Sequence, residues 1–228
     1  MRIIGLTGGI ACGKSTVTSH LTHLDIPFVD CDLIARKVVA QGTPALAEIE
    51  KLFGSSVILE NGELNRKQLG NIIFNDKSQN KVLGGIMGPA IQKQIIWEII
   101  IAFIKGKQLV FIDAPTLYET SSLVSMCGEI VVVAVDEDVQ LERLMARDQS
   151  TREEATARIT SQLPLEKKIH HPSTTEVLYN HGDVKDLNRA VENMVSRLQG
   201  RAGVLHHLLT LPGILLLLGV GVLGYSRL

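Results

Sequence analysis

Gly8-Gly9-Ile10-Ala11-Cys12-Gly13-Lys14-Ser15 fits the pattern G-x-x-x-x-G-K-S/T. Such a loop aims successive backbone N–H groups at phosphate oxygens, and glycine tolerates the dihedral angles this needs. Lys14 would reach the β- and γ-phosphates of a nucleotide and Ser15 would offer its hydroxyl to Mg²⁺. The helix that follows adds the positive end of its dipole. A chance match in a chain of this length is on the order of one in a hundred. Here the segment also follows an apolar strand pattern and opens a helical one.

Further carboxylates and guanidiniums could complete such a centre. Asp113 closes the apolar run Leu109-Val110-Phe111-Ile112, where a carboxylate can stand beside the loop and hold Mg²⁺ through water. Asp30 and Asp32 flank Cys31 at the end of the second apolar run. Strand alternation would send them to opposite sides, so one of the two would face a reacting centre and accept the proton of an attacking hydroxyl. Two solvated turn acids are the equally weighted alternative. Arg143, Arg147, Arg152 and Arg158 gather in the C-terminal third, with Gln162 beyond. Arg147-Asp148-Gln149-Ser150-Thr151-Arg152 reads as a turn between helices, and a hairpin bearing arginines can close over a triphosphate. The histidines show no metal-ligand spacing.

These residues need a scaffold with buried parallel strands. Ile3–Thr7, Pro27–Asp30, Leu109–Asp113, Ile130–Val135 and the weaker Glu176–Tyr179 read as five strands, apolar enough for a sheet covered on both faces. Helical patterns begin near Lys14, Pro44, Arg66, Gln79, Asp138, Arg152 and Asp183. The expected fold is therefore α/β, a three-layer sandwich around a five-stranded parallel sheet, with a long helical insertion before the third strand and an arginine-bearing lid. The formal net charge of −1, from 23 basic and 24 acidic side chains, argues against a nucleic-acid partner. Cys12, Cys31 and Cys127 form no C-x-x-C pair and read as small apolar fillers in a reducing compartment.

At the N-terminus the first strand begins at once, which leaves no room for a cleaved presequence. At the other end Leu208–Tyr225 is free of charge, and the stretch 204–225 is long enough for a membrane helix. The expected organisation is thus a domain over 1–199, a joint at 200–203 and a C-terminal membrane anchor over 204–225. That would hold the domain in the cytosol, at the mitochondrial outer membrane or endoplasmic reticulum. Terminal Ser226-Arg227-Leu228 makes the peroxisome a minor alternative.

The stretches MRIIGLTGGIACGKST, FVDCDLIARKVV, GTPALAEI, LNRKQLGNIIF, FIDAPTLYET, QLERLMARD and TREEATARITSQLPLEKK together resemble the dephospho-CoA kinase family, from Met1 to about Leu198. The resemblance implies a P-loop fold and ATP-dependent, Mg²⁺-assisted phosphorylation of the ribose 3′-hydroxyl of dephospho-CoA, the last step of coenzyme A synthesis, by an expected monomer. Asp32 matches the family's general base and Arg36 its substrate-side arginine, while Arg147 takes the lid position that contacts ATP phosphates. The implied nucleotide contacts are Gly8, Gly9, Ile10, Ala11, Cys12, Gly13, Lys14, Ser15, Thr16 and Asn180, with Ser15 and Asp113 on the metal. Lys14 and Arg147 would stabilise charge during transfer. Three positions depart from the family pattern. Gly88-Pro89 stands where members carry His-Pro, Thr116 replaces an apolar residue, and Tyr179 replaces an acidic one before Asn180. Another nucleoside or nucleotide kinase, and a membrane-attached nucleotide-binding protein without turnover, are the rival readings. A GTPase is disfavoured because no N-K-x-D motif is present.

Overall fold

A computed structural model describes residues 1–200. In chain order its elements are β1 (Arg2–Gly8), α1 (Lys14–His23), β2 (Phe28–Asp30), α2 (Cys31–Lys37), α3 (Pro44–Phe53), α4 (Arg66–Asn75), α5 (Lys77–Ile104), β3 (Leu109–Asp113), α6 (Ser121–Met126), β4 (Glu129–Ala134), α7 (Glu137–Asp148), α8 (Arg152–Thr160), α9 (Leu165–Ile169), β5 (Glu176–Tyr179) and α10 (Val184–Gly200). The strands form one sheet in the order β2-β3-β1-β4-β5. β1 runs parallel to β3, with Leu6 beside Asp113, and parallel to β4, with Gly8 beside Val133. This register brings the end of β1, where the glycine loop starts, level with the end of β3.

Every residue of β3 and β4 is buried, as an uninterrupted apolar strand demands of a sheet sandwiched between helices. On one face Ile4, Leu6, Phe111, Val131 and Val133 pack with Val17 and Leu21 of α1 and with Leu187, Val191, Met194 and Leu198 of α10. The α10 residues recur at helical spacing and make one apolar stripe on an otherwise polar helix. On the other face Gly5 lies against Leu117 and Cys127.

The described chain divides into two compact units, Met1–Val29 with the chain from Ile100 on, and Asp30–Ile99. The second has its own core of Val39, Leu46, Ile49, Val57, Leu64, Leu69 and Leu83. Its α3 is set by Thr43, whose hydroxyl accepts from Leu46 N–H, and by Pro44 in the first turn.

Two expectations are corrected. The second strand ends at Asp30 as expected, but a helix, α2, begins at the very next residue. Strand alternation therefore does not order Asp30 and Asp32: Asp30 is the N-cap, its carboxylate accepting from Leu33 N–H at 2.8 Å, while Asp32 sits in the first helical turn. A short polar side chain that caps the backbone competes successfully with strand pairing. The second correction concerns the membrane. Among the described residues, the helix long and apolar enough to cross one is internal, Ser78–Ile104 within α5. Length and composition alone give it that character: it carries Lys81, Lys93 and Glu98 and buries Leu83, Ile95, Ile99 and Ala102. The stretch 204–225 lies outside the described residues, and attachment to a membrane through a C-terminal helix is not supported.

Candidate active site

The glycine loop joins β1 to α1, and its shape is enforced by neighbours. Gly13 is the N-cap of α1 with φ 97°, a left-handed conformation that favours glycine. A Cβ there would also lie 2.3 Å from Asn180 Nδ2. Gly8 tolerates no side chain for a different reason, since a Cβ would lie 2.6 Å from Val133 O across the β1–β4 pairing. Inside the loop Cys12 N–H returns to Gly9 O at 3.3 Å, and Thr16 and Val17 N–H both reach Gly13 O. The peptide groups around Ile10 are held by two glutamines: Ile10 N–H donates to Gln162 Oε1 at 3.1 Å, and Gln140 Nε2 donates to Ile10 O at 2.8 Å. Ile10 N–H is thus already engaged, whereas Lys14 and Ser15 N–H belong to the first turn of α1, which lacks intrahelical acceptors.

Lys14 Nζ donates to Asp113 Oδ1 at 2.5 Å, with both side chains mostly shielded. An ammonium and a carboxylate this close at the mouth of the loop neutralise one another until a more highly charged anion enters. Ser15 is exposed at the start of α1. Cys12 is fully buried, and burial pushes its thiol up to about 11; it serves as packing rather than as a nucleophile.

Asn180, at the end of β5, is buried and donates from Nδ2 to Cys12 O at 3.0 Å. It braces the back of the loop. Tyr179 is 56% exposed and stacks on His181 with ring centroids 5.2 Å apart.

The arginine-bearing segment is a helical hairpin, as its sequence suggests. α7 ends at Asp148 and is capped by Gln149, whose left-handed φ of 50° turns the chain. α8 then opens on a capping box between Thr151 and Glu154. Arg147 donates twice to Asp148, at 2.7 and 3.1 Å, and Arg158 donates to the same carboxylate. Hydrogen bonding from Arg147 holds the Asp148 carboxyl below its ordinary value, with the charges of Arg147 and Arg158 acting in the same direction. Leu141, Leu144 and Ala155 bury the hairpin interior, with Ile10 and Ala11 of the loop packed against it.

One unit therefore brings Asp113 and Asn180 to Gly8–Thr16 and carries Arg147 on the hairpin whose base packs against that loop. The other holds Asp32 and Arg36, spaced i, i+4 along α2 on one helical face and both exposed. Sequence reasoning passed over Gln140, which is only 3% exposed, and Lys168, which is fully buried. Lys168 sits in Leu165-Glu166-Lys167-Lys168, which composition presents as a solvated charge run. Only the resemblance, which includes that stretch, could have marked it.

A parallel α/β sheet, a phosphate loop between the first strand and helix, and a carboxylate at the end of the neighbouring strand define a P-loop phosphotransferase. The dephospho-CoA kinase family matches residues 2–186, and the chain belongs to that family. A dephospho-CoA kinase domain-containing protein of Danio rerio is 42% identical over 198 residues, covering 87% of this chain and 86% of the relative. Dephospho-CoA kinase of Bacillus cereus is 43% identical over 190 residues, covering 83% and 94%. Among solved structures, a Thermus thermophilus protein superposes with a TM-score of 0.74 at 30% identity, covering 86% of this chain and 97% of its own. Dephospho-CoA kinase from Campylobacter jejuni gives 0.68 at 25% identity, covering 89% and 100%.

Proposed function

We propose that the chain is an ATP-dependent kinase that phosphorylates the ribose 3′-hydroxyl of dephospho-CoA, completing coenzyme A synthesis. The observation that carries this reading is the Lys14–Asp113 pair at the mouth of an intact glycine loop, in a chain of the dephospho-CoA kinase family. Lys14 exchanges Asp113 for the β- and γ-phosphates of ATP. The released Asp113 carboxylate and the Ser15 hydroxyl are two hard oxygen donors, the ligand type Mg²⁺ takes when phosphates and water supply the rest. Magnesium there would offset negative charge on the transferred group.

Asp32 accepts the proton of the attacking 3′-hydroxyl as that oxygen bonds to the γ-phosphorus, the bond from phosphorus to the bridging oxygen breaks, and ADP departs. Arg36 orients the acceptor. Arg147, released from Asp148, spreads the charge that builds on the transferred group. Positioning and electrostatics supply most of the rate.

The test is coenzyme A formation by the purified chain from ATP, Mg²⁺ and dephospho-CoA, beside a panel of nucleoside and nucleotide acceptors. Phosphorylation of a panel member in preference to dephospho-CoA would overturn the acceptor. Asp32→Asn should lower kcat by about 10²–10⁴-fold, the usual contribution of a general base, and leave ATP affinity within about twofold. Full activity in that variant would remove Asp32 from its role.

A further inference from the structure

Lys168 stands outside the residues that the resemblance assigns, yet its side chain is completely buried. Its Nζ donates to Gly8 O at 3.0 Å and to Pro115 O at 2.8 Å. Gly8 is the first residue of the glycine loop, and Pro115 lies two residues beyond Asp113. Pro115 O also accepts from Thr7 Oγ1 at 3.2 Å. One ammonium thus ties the start of the loop to the turn that follows the Asp113 strand. Its own backbone is pinned as well, because Lys168 O accepts from Thr174 Oγ1 at 2.6 Å.

This ammonium has two carbonyl partners and, among the described residues, no carboxylate within salt-bridge range. A buried charge without a counter-ion carries a large desolvation cost. Burial accordingly lowers its pKa most, and the like charge of Lys14 acts in the same direction. Glu119 opposes burial more strongly than Lys14 aids it, and Cys12 acts in the same sense as Glu119. The local arrangement therefore holds an excess of positive charge directly behind the glycine loop, and a polyanion in the loop would complete it.

We propose that Lys168 is a positioning residue for nucleoside triphosphates: it fixes the glycine loop against the Asp113 turn and supplies a buried positive charge that the bound triphosphate neutralises. The proposal rests on the reading of the glycine loop as the ATP site. It acts through the loop backbone, so its signature lies in affinity and in dependence on ligand charge. Lys168→Gln keeps donors for the carbonyls and removes the charge; Lys168→Met removes both.

The experiment titrates the full chain with Mg·ATP and Mg·ADP by calorimetry, with circular dichroism and thermal melting to establish folding. Lys168→Gln should bind Mg·ATP about tenfold to a hundredfold more weakly, on the scale of a charge-assisted contact. The loss for Mg·ADP should be smaller, kcat at saturating ATP should fall less than about threefold, and KM for ATP should rise. Lys168→Met should be worse on both ligands. Equal losses for the two nucleotides in Lys168→Gln, or wild-type affinity in a folded Lys168→Met, would overturn the proposal. If neither variant folds, the lysine side-chain resonances of the wild-type protein decide. Lys168 should shift when Mg·ATP is added, and an unmoved resonance at saturation overturns it. Wild-type protein that binds no ATP would sink the reading of the site itself. Binding without coenzyme A formation would sink only the acceptor.

Discussion

The unit that holds the glycine loop and the unit proposed to take the acceptor are built to different standards. Around the glycine loop nearly every functional group has a fixed neighbour. Gly13 is backed by Asn180, the Ile10 peptides by Gln140 and Gln162, Gly8 O by Lys168, and Lys14 by Asp113. On α2, Asp32 and Arg36 are exposed, and their helix is fixed by one N-cap and by Ile34, its single buried residue. Phosphate groups are the same in every nucleotide, so a rigid cradle loses nothing. Exposed side chains such as these suit the proposed acceptor, which must be admitted, aligned and released.

The comparison can be broken at the cradle with the largest effect. Gly13→Ala forces a Cβ onto Asn180 in a left-handed conformation. It should lower kcat/KM for ATP about a hundredfold, the rate cost of a misplacement near 1 Å, in a protein that still folds; steady-state kinetics beside circular dichroism measures this. Asn180→Ala removes the bond to Cys12 O and leaves a buried carbonyl unpaired. It should cost about 1–3 kcal/mol and lower Tm by several degrees, with a rise in KM for ATP and little change in KM for dephospho-CoA.

The Asp30–Ile99 unit, proposed to take the acceptor, can be sharpened rather than broken. An added Cβ at Gly88 meets nothing within 4 Å, and the residue lies inside α5. Gly88→His restores the family pattern and should stabilise the helix by roughly 0.5 kcal/mol. It should also lower KM for dephospho-CoA severalfold without altering ATP affinity, which steady-state kinetics with each substrate would separate. The smallest effect belongs to the lid. The Asp148 pKa is lowered in the folded state, so its contribution is present above the ordinary carboxylate range and is lost as pH falls through the lowered value. Melting curves of wild type and Asp148→Asn should therefore differ most near neutrality and converge in acid. The group is solvent-facing, so the gap should be small, and raised salt should narrow it.

The parts of the molecule legible in the sequence are those where one local signal dominates. Each expected strand starts within two residues of an observed one, because an apolar run between helical patterns has few alternatives. α1, α4 and α8 begin where a glycine loop, an asparagine cap and a capping box place them. α2 was illegible because Asp30 serves as a cap, a role that alternation cannot distinguish from a strand end. α9, five residues long, has too little periodicity to register. Its Lys168 defeats composition outright, since a lysine among charged residues reads as solvated, whereas Gly8 and Pro115, both distant in sequence, give it buried partners. The glycine loop could be named from its spacing, but the glutamines and asparagine that brace it are scattered from residue 140 to 180.

The two glutamines at Ile10 have a mechanical consequence. Gln140 lies near the beginning of α7 and Gln162 just past the end of α8, so both legs of the hairpin are bolted to the loop at their base. The bend around Gln149 is the far end. Those two bonds fix the base of the hairpin against the loop, while Arg147 stands near its bend. The hairpin that carries Arg147 and the glycine loop therefore share one joint at Ile10.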